Sequence, residues 1–160
     1  MKKNTTVYFI TALLALSPFL FNSCKTDTVS EPSPLGPSSI GVILGLTANP
    51  NVIVAGETNR QISTITAKLA KYDGIPLSGR TILFELLNSA GRRSSLGYLE
   101  GKVNMLSVVT DSSGLAQTQY YGPLKGDVRS NTDVYVRATV VWEGSQEIQD
   151  SIQLYIIRGD

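Results

Sequence analysis

The chain has 160 residues, a single cysteine and no histidine, and its 14 Lys and Arg nearly balance 13 Asp and Glu, for a formal charge of +1. The missing histidines exclude His-ligated metal centres, Ser-His-Asp triads and imidazole proton shuttles, while one cysteine excludes thiolate zinc sites and intrachain disulfides. No cofactor is expected, and a near-neutral balance gives no electrostatic reason to expect nucleic acid as a partner.

The chain opens with Lys2 and Lys3, then an apolar run from Val7 to Phe21, then Phe21-Asn22-Ser23-Cys24. The run is shorter than the roughly 20 apolar residues of a membrane span and contains Pro18. Its layout is that of a cleaved export signal. Ser23-Cys24 resembles the processing site of bacterial lipoproteins, which implies removal of residues 1–23 and lipidation of Cys24. A free thiol is usually buried, but the residues after Cys24 have little to bury. Residues 25–40 (KTDTVSEPSPLGPSSI) hold three prolines and four serines. That composition reads as a linker, reaching roughly 50 Å as polyproline II and roughly 22 Å as a flexible coil. The expected organisation is a signal over 1–23, a lipidated Cys24 with its linker over 24–40, and one folded domain over 41–160.

From Gly41 the pattern changes to strands. Gly41–Asn49 alternates and stops at Pro50. Ile62–Tyr72 places Ile65, Ala67 and Leu69 on one face and Thr64, Thr66 and Lys68 on the other, and Asp73-Gly74 turns the chain. Thr81–Leu87 aligns Ile82, Phe84 and Leu86. The Gly/Ser/Arg-rich stretch from Asn88 to Gly97 breaks the pattern. Met105–Thr110 resumes it, Asp111–Gly114 turns, and Leu115–Tyr121 returns. Asp133–Trp142 and Glu147–Ile157 flank a turn at Glu143–Gln146. Period-2 alternation, β-branched residues and Gly/Pro/Asp punctuation agree throughout. Seven or eight short strands without helices predict an all-β sandwich. Parity predicts a core of Leu46, Ala48, Ile65, Ala67, Leu69, Ile82, Phe84, Leu86, Ala116, Tyr120, Val136, Ala138, Val140, Ile152, Leu154 and Ile156.

Several segments recur in an ordered series: Leu46–Pro50, Val54–Glu57, Ser63–Leu69, Asp73–Gly79 and Thr110–Ala116. The series resembles the bacterial Ig-like domain of the group 1 type, the repeat module of invasin- and intimin-like proteins. The likeness spans roughly residues 43 to 157 and implies an Ig-like Greek-key β-sandwich with a role in adhesion. The chain has room for one copy and shows no internal repeat. The segment Asn88–Val103 is longer than the pattern needs.

Candidate sites are few. Glu85, Glu100, Asp111 and Asp127 are the carboxylates a glycosidase pair would need, but no motif joins them and solvated surface is the favoured reading. The Asp73 and Asp111 turns lack the acidic density of calcium loops and read as ordinary turns. Arg92-Arg93, in the long loop, has the fork chemistry to grip an anionic glycan or a carboxylate. Tyr135, Arg137, Thr139 and Val141 face away from the predicted core, as do Gln153, Tyr155 and Ile157, with Leu83, Leu87 and Tyr121 also outward. Contiguous, such residues would form an interaction surface.

The expectation is therefore a non-enzymatic, lipid-anchored, extracytoplasmic Ig-like module, an outer membrane lipoprotein on the periplasmic face or the cell surface. Its membrane partner is reached through Cys24. Its binding residues are sought among Arg92, Arg93, Tyr135, Arg137 and Tyr155, with an envelope protein or glycan as partner. The alternative is a carbohydrate-binding module in which Tyr135, Tyr155 and Trp142 stack on sugar rings.

Overall fold

The computed structural model describes residues 41–142 and 146–159, without the Trp142 side chain. The predicted signal, Cys24 and the linker lie outside the described residues, as does most of the Glu143–Gln146 turn. Nine strands follow in chain order: β1 Val42–Asn49, β2 Val52–Ala55, β3 Ile62–Lys71, β4 Thr81–Leu87, β5 Tyr98–Leu99, β6 Met105–Val109, β7 Leu115–Tyr121, β8 Thr132–Trp142 and β9 Gln146–Arg158. They form two sheets, ordered β1-β3-β7-β5 and β2-β9-β8-β4-β6. This is the Ig-like arrangement, with the first strand divided between the sheets.

The sequence predicted seven or eight strands, and the two it lacks are short. β2 has four residues and pairs in parallel with β9, a run too brief for alternation to register. β5 has two residues and pairs with the end of β7.

Alternation built the core as expected. Ile65, Ala67, Leu69, Ile82, Phe84, Leu86, Ala116, Tyr120, Val136, Ala138, Val140, Leu154 and Ile156 are buried, and Leu46, Ala48 and Ile152 pack against them half-buried. Val42, Leu44, Ile53, Ala55, Leu99, Val128 and Val134 join them. At about 25 cal/mol per Å², this shared apolar burial is the main favourable term holding the sheets together.

The divided first strand leaves edges at β1 and β2, and side chains guard both. Asp150 on β9 reaches across to β1, where its Oδ2 accepts the Leu46 amide at 2.8 Å. On β2 the Val54 amide donates to Gln61 Oε1 at 2.6 Å. Each contact removes a free donor that an edge would offer to another chain. At the β6–β7 turn, Asp111 Oδ1 accepts the Ser113 and Leu115 amides at 2.8 and 3.0 Å. Gly114 sits at φ 73° with its carbonyl accepting the Leu69 amide, so the turn is locked onto β3 as the Asp-x-x-Gly spacing predicts.

The inner face of β3 and β7 also carries two polar side chains. Ser63 and Thr118 are buried, and neither hydroxyl has a hydrogen-bond partner. An unsatisfied buried hydroxyl costs about 1–3 kcal/mol. Thr118→Val should therefore raise the midpoint of thermal unfolding by a few degrees, read by circular dichroism. A lower midpoint would mean that the hydroxyl is satisfied in solution.

Candidate functional site

The outer face of the five-stranded sheet holds the predicted surface residues, and packing divides them. Glu85 and Arg137 lie opposite each other on β4 and β8. Arg137 donates to Glu85 Oε2 through Nη2 at 2.6 Å and through Nε at 3.2 Å. The Glu85 side chain is only 14% exposed, so this cross-strand pair braces the sheet and its carboxylate is spoken for. Tyr135 is half-buried on the same strand, between Leu87 and Gln153.

Leu87 departs from its predicted exposure: it is buried. The chain after β4 folds back, with the Asn88 amide donating to Arg92 O and Leu87 bridging to Arg93. Asn88 Oδ1 accepts the Ala90 and Arg92 amides at 3.0 Å. Arg92 and Arg93 therefore ride a tight turn, exposed, with no ion pair among the described residues.

Tyr155 is exposed on β9, opposite Val52 of β2. With Val54 and Ile157 it makes a short apolar strip beside a shallow cavity of about 380 Å³ that Asn131, Thr132 and Asp133 also line. Trp142 lies seven residues along β8 from Tyr135, about 23 Å of strand, while Tyr135 and Tyr155 stand at diagonal positions on β8 and β9. The four carboxylates are equally dispersed. Asp111 turns at one end of the sandwich and Asp127 at the other, Glu85 is paired mid-sheet, and Glu100 is exposed on a 3-10 turn. Asp73 Oδ1 accepts the Ile75 amide within its own turn. Among the described residues no three metal-ligating side chains gather.

A different group of residues converges at the end of the sandwich where β2, β4 and β7 finish. The Tyr120 ring is fully buried on the inner face of β7, and its hydroxyl donates to Leu96 O at 3.1 Å. That bond pulls the β4–β5 connection down onto the core. Gly97 follows at φ 73°, and a Cβ there would collide with the Tyr121 carbonyl and the Tyr120 ring, so only glycine lets the chain pass. Tyr98 then pairs with Tyr121 across β5 and β7, and their rings stack at 5.2 Å and 22°.

Arg60, from the β2–β3 connection, completes the stack. Its guanidinium carbon lies 5.1 Å above the Tyr98 ring centre, a cation–π distance. Arg60 Nη1 donates to Gly122 O at 2.7 Å, and Nη2 lies 3.4 Å from Asp127 Oδ2. The same oxygen accepts the Leu124 amide at 3.1 Å. Lys125 ties the two connections together, its Nζ 2.9 Å from Glu57 and its amide donating to Gly56 O. Arg60, Ser95, Leu96, Gly97, Tyr98 and Asp127 line an open cleft of about 280 Å³.

Tyr121 therefore belongs to the four-stranded sheet, where it backs the Tyr98 ring, away from the surface assigned to it from sequence. The sequence reading did not find Arg60 or Tyr98, which sit where alternation is absent. The excess length of Asn88–Val103 was the signal that pointed toward Tyr98; nothing in the sequence pointed to Arg60.

Similarity to known proteins is confined to shape. No protein-family model and no curated protein matches the chain. Among solved structures, the periplasmic chaperone SfaE aligns with a TM-score of 0.48 at 9% identity, over 72% of this chain and 58% of that one. The E. coli chaperone DraB aligns at 0.45 and 8% identity, over 71% and 55%. A lipoprotein from Bacteroides thetaiotaomicron aligns at 0.39 and 11% identity, over 74% and 81%. The chain thus spans little more than half the length of either chaperone.

Burial pushes the Tyr120 phenol well above its ordinary value of 10.0, and the nearby charge of Arg60 opposes part of that rise. The folded chain holds this proton more tightly than the unfolded chain does. Tyr120 therefore stabilises the fold fully below about pH 10, and that contribution is lost progressively as the pH rises beyond it. In an alkaline titration Tyr120 should ionise only well above pH 10, and Tyr120→Phe should flatten the loss of stability above about pH 10. Equal alkaline sensitivity of both proteins would contradict this assignment.

Proposed function

We propose that the chain is a lipid-anchored module of the bacterial envelope, held at Cys24, whose Ig-like sandwich has a non-catalytic binding or adhesive role. The observation that carries this reading is the separation of attachment and cleft. The chain enters β1 at Gly41, whose carbonyl accepts the Tyr72 amide at 2.9 Å. The cleft stands at the other end of β3, where Ile62 pairs with Tyr121. The nine steps from Ile62 to Lys71 span about 30 Å of strand. An anchor on Cys24 is thus joined to the end of the domain that does not carry the cleft. The resemblance to group 1 bacterial Ig-like modules and the outer-membrane placement belong to the same proposal, supported by the ordered turn motifs and the Ser23-Cys24 site.

A stacking platform joining Trp142 to Tyr135 and Tyr155 has no support in the strand positions, so binding is assigned to the end cleft. Two acyl chains on one cysteine meet the requirement for stable anchoring. Cys24→Ser should move the protein from the membrane to the soluble fraction of fractionated cells without changing its thermal unfolding. Retention in the membrane would overturn the anchor.

A further inference from the structure

We infer that the end cleft takes the edge of a neutral, hydroxyl-rich sugar, one unit of a glycan chain. The inference rests on the binding role proposed above and names its ligand class. Charge decides the first part. Arg60 already faces Asp127 at 3.4 Å and the Gly122 carbonyl at 2.7 Å. An anionic ligand meets no uncompensated cation here, and a cationic one meets no uncompensated carboxylate.

The polar groups left over decide the second part. Asp127 is half-exposed, and its Oδ2 is occupied by the Leu124 amide and Arg60 while Oδ1 has no donor among the described residues. Ser95 is exposed, and among the described residues its hydroxyl and amide bond to no protein group, nor does the Gly97 amide. The Tyr98 hydroxyl is likewise unbonded. One free carboxylate oxygen thus stands among two amide donors and two hydroxyls that both donate and accept. Sugar hydroxyls both donate and accept, so neighbouring hydroxyls satisfy such a mixed set. The Tyr98 ring is already engaged by both Arg60 and Tyr121. The sugar is therefore held by hydrogen bonds at its edge, without face stacking. A volume of about 280 Å³ lies near the floor of roughly 300 Å³ for small-molecule sites, which suits a single sugar unit with the remaining chain outside.

The test follows backbone amide shifts of the ¹⁵N-labelled full chain carrying Cys24→Ser, which keeps it in solution. Malto-, cello-, manno- and xylo-oligosaccharides are titrated, with an oligogalacturonate and an unstructured acidic peptide in parallel. At least one neutral sugar should shift the amides of Ser95, Gly97, Tyr98 and Asp127. Asp127→Asn should weaken that response about tenfold or more, since hydrogen bonds to a charged group are worth about 1.5–3 kcal/mol. Ser95→Ala should weaken it about threefold with unchanged thermal unfolding, as loss of one neutral hydrogen bond predicts. Tyr155→Ala should leave it unchanged. Absence of shifts with every neutral sugar, shifts centred on Val52 and Tyr155, or a stronger response to the oligogalacturonate or the peptide would each overturn the inference. A response to the oligogalacturonate or peptide at the cleft would leave the wider binding role standing, while silence toward every probe and toward solubilised envelope extract would remove that role as well.

Discussion

The hydrogen bond from the buried Tyr120 hydroxyl to the Leu96 carbonyl couples the core of the sandwich to the cleft at its end. A phenol inside a close-packed core must find a partner for its hydroxyl, and the Tyr120 hydroxyl does not find it on its own strand, where the Thr118 hydroxyl also goes unpartnered. The partner comes from the long β4–β5 connection, which is thereby drawn over the open end of the sheets. Everything above that bond is consequence. Gly97 passes over the ring because it has no side chain, Tyr98 falls into register with Tyr121, and Arg60 settles over the Tyr98 ring. The cleft is preorganised because Leu96, which lines it, is tied through its carbonyl to a core residue.

The rest of the molecule is arranged so that the domain presents this end without presenting its edges. Dividing the first strand between the sheets covers part of each but leaves two edges, and Asp150 and Gln61 each occupy an amide there. An inward-facing carboxylate is a costly guard, because it lies half-buried on the core side of β9. Its two contacts, to the Leu46 and Ser151 amides, offset that cost, and the first bonds one sheet to the other. The Glu85–Arg137 pair works similarly on the outer face. It braces β4 against β8, and in doing so withdraws from binding a residue that its chemistry alone would nominate.

The fold was legible because its core strands alternate cleanly. From Ile65, Ala67 and Leu69 to Leu154 and Ile156, parity alone selects the buried face, since successive side chains in a strand point to opposite sides. The site was much less legible. Arg60, Ser95 and Asp127 come from three connections, where no periodicity says which residues meet. Tyr98 sits in a two-residue strand that exists only because Tyr121 pairs with it. Leu87 shows the same limit from the other side: its parity is outward, yet a returning loop covers it. Asp111 and Gly114 were readable because the hydrogen bonds of that turn are local. The surplus length of Asn88–Val103 marked where to look, but the contact that gives it shape, Tyr120 to Leu96, crosses 24 residues of sequence.

The central claim, that one core hydroxyl shapes the cleft, is tested most directly by hydrogen exchange in Tyr120→Phe. The amides to follow are Ser94, which donates to Leu86 O, and Leu96, which donates to Ser94 Oγ. If the hydroxyl pins the connection, these amides should exchange about tenfold faster, equivalent to about 1.4 kcal/mol, with a smaller change at Ile65 and Val136 in the core. Unchanged exchange at Ser94 and Leu96 would show that the connection keeps its shape without the bond, and would contradict the account.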